Sequence, residues 1–180
     1  MAINKNSTGY TITFSVVLVC VCGALLAFLA TQLKPYQQAN IANEKRQFIL
    51  SAAGFAPMDT LKELEKSEVE KIFNESVKSN VYDFEGVPIE GENAFLIDIV
   101  KEFKATKNEP KKRRYPVFTC VNGSDTSYVI PMAGNGLWGP VWGCAALGSD
   151  QNTITGIVFD HKSETPGLGA KITDKAFVDM

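Results

Sequence analysis

Six consecutive residues, Glu164-Thr165-Pro166-Gly167-Leu168-Gly169, put one carboxylate and one hydroxyl at the mouth of a glycine-rich turn. The β-branched apolar run Ile154 to Phe159 precedes them, so a buried strand is expected to open into that turn through His161-Lys162-Ser163. Pro166 fixes its own φ, and Gly167 and Gly169 allow positive φ or close backbone approach. A loop packed against a flat or phosphorylated ligand needs these properties. A second glycine-flanked element, Asn135-Gly136-Leu137-Trp138-Gly139, lies about one hairpin upstream. Trp138, with Leu137 beside it, could supply a flat apolar wall; the competing reading is a Trp buried in a hairpin. Glu164 could accept from a ligand hydroxyl or ring N–H, and Thr165 could bond a ring edge. Alternatively, Thr165 caps a helix beginning near Gly169 and Glu164 faces its dipole. Lys171 could sit near a phosphate or be solvated.

Other reactive residues carry less. His161 is the only histidine, which rules out multi-histidine metal sites, and no credible nucleophile accompanies it for a triad. It reads as structural. Cys20 and Cys22 fall in an apolar helix and read as small packing residues, while Cys120 and Cys144 fall in expected strands as buried thiols or a disulfide pair. No Gly-x-Gly-x-x-Gly follows a strand, so no dinucleotide site is expected.

Elements must position these turns. The segment Tyr36 to Ala53 reads as a helix stopped by Gly54. A second amphipathic helix is expected from Asp59 to Ser79, with Leu61, Leu64, Val69, Ile72, Phe73 and Val77 at helical spacing. Five strands follow: Ala94 to Val100, Tyr115 to Val121, Ser127 to Met132, Val141 to Leu147 and Thr153 to Phe159. Asn122-Gly123 and Ser149-Asp150 punctuate them as hairpin turns. Lys101 to Arg114, polar and interrupted by Pro110, reads as an exposed loop. Short strands joined by short connections after helices argue for an antiparallel α+β domain.

The chain has 180 residues and a formal net charge of -2, which suits one domain plus an anchor and argues against a nucleic-acid partner. Tyr10 to Leu33 contains no Asp, Glu, Lys or Arg. At 1.5 Å per residue this stretch spans ~36 Å, enough to cross a hydrocarbon core of ~30 Å. A cleaved signal peptide would have a shorter apolar core and a better small-x-small site than Phe28 before Ala30, so an uncleaved anchor is expected. Lys5 stands on one side and Lys34, Lys45 and Arg46 on the other. The charge rule thus slightly favours a cytoplasmic domain, and Lys111 to Arg114 are too distant to contribute.

Glu-Thr-Pro-Gly-Leu-Gly, the upstream Asn-Gly-Leu-Trp-Gly and the single amino-terminal membrane helix together resemble the C subunit of the sodium-translocating NADH:quinone reductase. The related G subunit of the Rnf electron-transport complex is similar. The resemblance covers nearly the whole chain. It implies an α+β architecture with a cytoplasmic amino terminus (1–9), a transmembrane helix (10–33), a helical connecting region (34–80) and an antiparallel-sheet FMN-binding domain (81–180) with flanking helices. Contrary to the charge rule, it implies a single-pass protein of the bacterial inner membrane with its main domain on the periplasmic side. Glu164, Thr165, Gly167, Leu168 and Gly169 match the flavin-lining segment and are expected as non-covalent FMN contacts, with Leu137 and Trp138 as walls. The implied role is one-electron relay in a complex that oxidises NADH, reduces quinone and moves sodium outward. Other membrane subunits of that complex and the lipid bilayer are the implied partners, and no residue is expected to act in acid/base catalysis. In the family a threonine of a carboxy-terminal Ser-Gly-Ala-Thr motif carries FMN covalently. That motif is absent before Met180, so the chain is expected to be a fragment with an incomplete domain. A subunit of an Rnf-type electron-transport complex is one alternative and a non-redox scaffold role another, with Gly23, Ala24 and Ala27 suiting helix packing.

Overall fold

The computed structural model describes residues 7–178, apart from the side chain of Lys175. Residues 1–6, including Lys5 and most of the expected cytoplasmic amino terminus, lie outside the described residues. The chain divides into two compact units, Met1–Ala42 and Asn43–Met180.

The first unit consists of the greater part of helix α1, Thr8–Ala52, which is long and apolar enough to cross a membrane. Its large apolar side chains, among them Phe14, Leu18, Leu26 and Phe28, are exposed, as an apolar solvent would require. Two separate helices flanking Pro35 were expected; α1 instead runs through Pro35 without interruption. A mid-helix proline removes one hydrogen bond and costs ~3 kcal/mol, which the good helix formers on both sides of it outweigh.

In the second unit the last turns of α1 pack with α2 (Met58–Glu63) and α3 (Lys66–Ser76) on one face of a five-stranded antiparallel sheet. The strands β1 (Val77–Tyr82), β2 (Tyr115–Asn122), β3 (Asp125–Asn135), β4 (Pro140–Leu147) and β5 (Ile154–His161) lie side by side in chain order. A row of fully buried residues, Phe118, Val129 and Ala146, crosses β2, β3 and β4 in register. Above it sit Ile49, Leu50, Leu61, Val69 and Phe73. The segment 34–80, expected as a connecting region, is therefore split. From Asn43 onward it belongs to the same compact unit as the sheet. Polar bonds reinforce the packing: Gln47 Nε2 donates to the Leu61 carbonyl at 2.8 Å, and Lys45 Nζ donates to the carbonyls of Phe95 and Ile97 at 2.6 and 2.8 Å. Burial lowers the Lys45 pKa from its ordinary value, against the raising influence of Cys144 and Asp98.

Three expectations are corrected. The helix expected over Asp59 to Ser79 breaks at Leu64 and Glu65, both extended, and ends at Ser76. Val77 to Tyr82 form β1 instead, because pairing with β2 satisfies their backbone and buries Val81. The strand expected over Ala94 to Val100 is a 3₁₀ turn, Ala94–Leu96, followed by helix α4, Ile99–Ala105. Asn93 Oδ1 accepts from the Phe95 N–H at 2.9 Å and Asp98 Oδ1 from the Lys101 N–H at 3.0 Å, and these caps override β-branched propensity. The exposed loop expected over Lys101 to Arg114 is partly this helix, and it carries the buried Glu102.

The other strands lie close to their expected positions. Asn122 pairs with Asp125 across a two-residue turn led by Gly123 at φ +63°. Pro131, lacking an N–H, falls where β3 pairs with β4 alone, since its pairing with β2 stops at Val129. Between β4 and β5, Asp150 accepts from the Thr153 hydroxyl and from the N–H groups of Thr153 and Asn152, which draws its carboxyl down to about 2.

Arg114 Nη2 donates to Glu102 Oε2 at 2.6 Å, and its main-chain N–H donates to Oε1 at 3.0 Å. The Arg114 side chain leads these in holding the Glu102 carboxyl below its ordinary value of 4.5. A carboxylate with a depressed folded pKa stabilises fully above its unfolded pKa and loses that contribution as pH falls through the folded pKa. Glu102→Gln should therefore lower stability by about 1 kcal/mol at pH 7, discounted because Arg114 is part-exposed. The difference should shrink below pH 4.5. Urea midpoints at the two pH values test this, and a pH-independent difference would contradict it.

Candidate functional site

The β3–β4 hairpin closes through the four residues after Asn135, whose partner is Pro140. The Gly136 N–H donates to the Gly139 carbonyl at 2.7 Å, leaving Leu137 and Trp138 at the tip. The Trp138 side chain is exposed, which overturns the buried-hairpin reading. Beyond β5 the chain runs beside this tip and grips it three times. The Lys162 N–H donates to the Pro140 carbonyl at 3.1 Å. Ser163 Oγ donates to the Trp138 carbonyl at 2.7 Å, and Glu164 Oε1 accepts from the Trp138 N–H at 2.9 Å. Both main-chain polar groups of Trp138 are thus held by side chains of the neighbouring segment. The indole is presented on a fixed backbone.

The glycines explain how the carboxylate fits. A Cβ at Gly136 would run into Glu164 Oε1, and one at Gly169 would lie 2.5 Å from Oε2. Only hydrogens at these two positions leave a slot for the Glu164 carboxylate, which is buried. A Cβ at Gly139 would lie 2.6 Å from Ser163 Oγ, so the same close approach serves the second grip.

The segment Thr165 to Leu168 is a turn in which the Leu168 N–H donates to the Thr165 carbonyl at 3.1 Å, with Pro166 and then Gly167 at φ +76° in the centre. This is the type II arrangement that a Pro-Gly pair encodes. The Ala170 N–H also donates to the Thr165 carbonyl, at 3.2 Å. Thr165 was weighed as a side-chain cap. The 3₁₀ turn Gly169–Thr173 follows Leu168 without a side-chain cap bond, so Thr165 acts through its carbonyl. Leu137, Trp138 and Leu168 are 83%, 66% and 73% exposed, an unusual density of outward apolar surface beside one buried carboxylate.

Of the expected site residues, the structure joins Trp138, Glu164 and Gly169 directly. Leu137 stands beside Trp138 on the tip, and Thr165, Gly167 and Leu168 form the next turn. Glu164 Oε1 is engaged by the protein itself, accepting from the Trp138 N–H. Lys171 is exposed in the 3₁₀ turn. Sequence reasoning missed Ser163, whose only signal was its place before Glu164, and it missed the contact of His161 Nδ1 with the Glu164 N–H. Cys120 and Cys144 are free and buried, and burial raises both thiols to about 12. They stand on β2 and β4 with β3 between them, opposite Ser127 and Pro131 respectively, so at least two strand spacings, ~10 Å, separate them, too far for the disulfide left open from sequence. Among the described residues no group of three or more His, Cys, Asp or Glu could hold a metal ion. A groove of about 840 Å³ runs along β5 between Phe48, Met58 and Val178; it reaches His161 at the end of β5 but no residue of the two turns.

The antiparallel sheet of the second unit presents apolar surface on a fixed backbone at its β3–β4 hairpin tip and at the glycine turn that follows β5. Residues 136–179, which contain both turns, match the family model described as FMN-binding domain. The C subunit of the Na(+)-translocating NADH-quinone reductase of Neisseria meningitidis serogroup A is 30% identical over 178 residues, covering 94% of this chain and 69% of the relative. Its Vibrio campbellii counterpart is 31% identical over 191 residues, covering 96% and 70%. Among solved structures, the same protein from Parabacteroides distasonis is 37% identical with a TM-score of 0.68, covering 82% of this chain and 67% of that one. NqrC from Shewanella oneidensis is 27% identical with a TM-score of 0.60, covering 77% and 67%. The chain belongs to the family formed by the C subunits of Na(+)-translocating NADH-quinone reductases.

Proposed function

We propose that this chain is an FMN-binding, membrane-anchored subunit that relays electrons within a complex coupling NADH oxidation and quinone reduction to outward sodium transport. The observation that carries the reading is the pinning of Trp138 on both sides of its backbone by Ser163 and Glu164, with its indole outward beside Leu137 and Leu168. The site fits the cofactor. Three apolar side chains can flank a planar ring, and the exposed Thr165 hydroxyl and Lys171 ammonium are the polar groups for the ribityl chain and phosphate. Gly167, where an added Cβ would meet open space, lets the backbone approach the ligand. The buried carboxylate of Glu164 contributes by holding the tip, and Gly169 by leaving room for it. Bound FMN supplies one-electron transfer; the protein binds it, orients it and keeps water from one face. In this reading Leu137, Trp138, Thr165, Gly167 and Leu168 contact FMN non-covalently. We place residues 10–33 of α1 in a bacterial inner membrane with the second unit on the periplasmic side, and other membrane subunits of the complex and lipid as its partners.

Trp138→Ala should weaken FMN binding by about tenfold or more, since a stacked aromatic wall and its buried area are lost. Titrating FMN fluorescence against the detergent-solubilised full chain checks this. An affinity equal to wild type, with the circular dichroism unchanged, would remove the hairpin tip from the site.

A further inference from the structure

We propose that His161 is a positioning residue for this site: its ring Nδ1 accepts the Glu164 main-chain N–H at 3.3 Å and so sets the turn from which the carboxylate reaches Trp138. The inference rests on the FMN reading above and adds to it a residue that neither turn contains. His161 is the last residue of β5, opposite Val141, and its own N–H donates to Asp160 Oδ1 at 2.7 Å. Past it the regular ladder has ended, and Lys162 and Ser163 engage the hairpin at Pro140 and Trp138. The direction of the chain at Glu164 is then fixed by a side chain three residues back, the device by which short polar side chains hold a turn or cap a helix. Here an imidazole does it.

The chemistry restricts the form of the ring. An Nδ1 that accepts has no proton, so the neutral imidazole carries its hydrogen on Nε2. An Asn at this position can place Oδ1 where Nδ1 stands. A Gln carries its oxygen one bond further out, and a Phe offers no acceptor.

Because the chain contains one histidine, nitrogen NMR of the histidine-labelled full chain in detergent reads a single ring. The expected spectrum has an unprotonated Nδ1 and a protonated Nε2, together with slow hydrogen exchange at the Glu164 amide. H161N should keep slow exchange there and bind FMN within about threefold of wild type. H161Q and H161F should speed that exchange and weaken FMN by about tenfold, the loss of one hydrogen bond. An Nδ1–H tautomer, or equal behaviour of H161N and H161F, overturns the role of His161 even when FMN binds normally. A wild-type chain with the expected tautomer and amide protection but no FMN binding overturns the FMN reading, and the positioning role with it, while the hydrogen bond itself stands.

Discussion

Phe118→Ala is expected to lower the stability of the second unit by about 3–5 kcal/mol, the range for deleting a large buried aromatic. Phe118 is fully buried on β2, opposite the equally buried Val129, and its ring meets that of Phe73 edge-on with centroids 6.3 Å apart. Sheet neighbours cannot move to refill the space without breaking register, and Phe73 is itself fixed against Phe95, centroids 5.5 Å apart. Urea unfolding followed by circular dichroism measures the loss. A cost under about 1.5 kcal/mol would mean that the helices collapse into the vacancy, and that the packing of α3 on the sheet is looser than its contacts imply.

The second large effect concerns the slot around Glu164. Gly136→Ala puts a methyl group where Glu164 Oε1 lies and 2.9 Å from Val141 Cγ1, so the carboxylate must leave and the Trp138 N–H loses its acceptor. The expected cost is about 2–3 kcal/mol in stability, with FMN affinity reduced between ten- and a hundredfold. Glu164→Ala removes the same acceptor and should cost about 1–3 kcal/mol. The double variant should cost less than the sum by about 1 kcal/mol, because without the carboxylate the added methyl has room. A double-mutant cycle by urea unfolding decides the matter; strict additivity would show that glycine and carboxylate do not compete for one space.

Local chemistry determined what could be read from the sequence. Pro166-Gly167 encodes its turn in two residues, and Asn122-Gly123 does the same for the β2–β3 hairpin, so both were legible. The strands of the β2 to β5 meander were legible from their β-branched and aromatic side chains and from the turn residues between them. Val77 to Tyr82 was not: Val77 continues the apolar stripe of α3, and only pairing with β2, far along the chain, makes these residues a strand. Ala94 to Val100 has strand-forming side chains, yet Asn93 and Asp98 capture adjacent backbone N–H groups. At the site, the residue types were visible but their division of labour was not. Glu164 reads from sequence as a ligand group, and its burial between two glycines adds a part in the frame that the sequence did not show. Pattern gave no hint that Ser163 would bond Trp138, since that contact joins segments 25 residues apart.

The order of the sheet has a kinetic consequence. Each strand lies beside the one made just before it, and three of the four connections, from β2 to β5, are short turns. Pairing can therefore proceed along the chain as it emerges, each new strand closing only a small loop onto an edge already formed. The long excursion from Tyr82 to Tyr115 is the exception, and adding β1 to β2 should be the slow step of assembling the sheet.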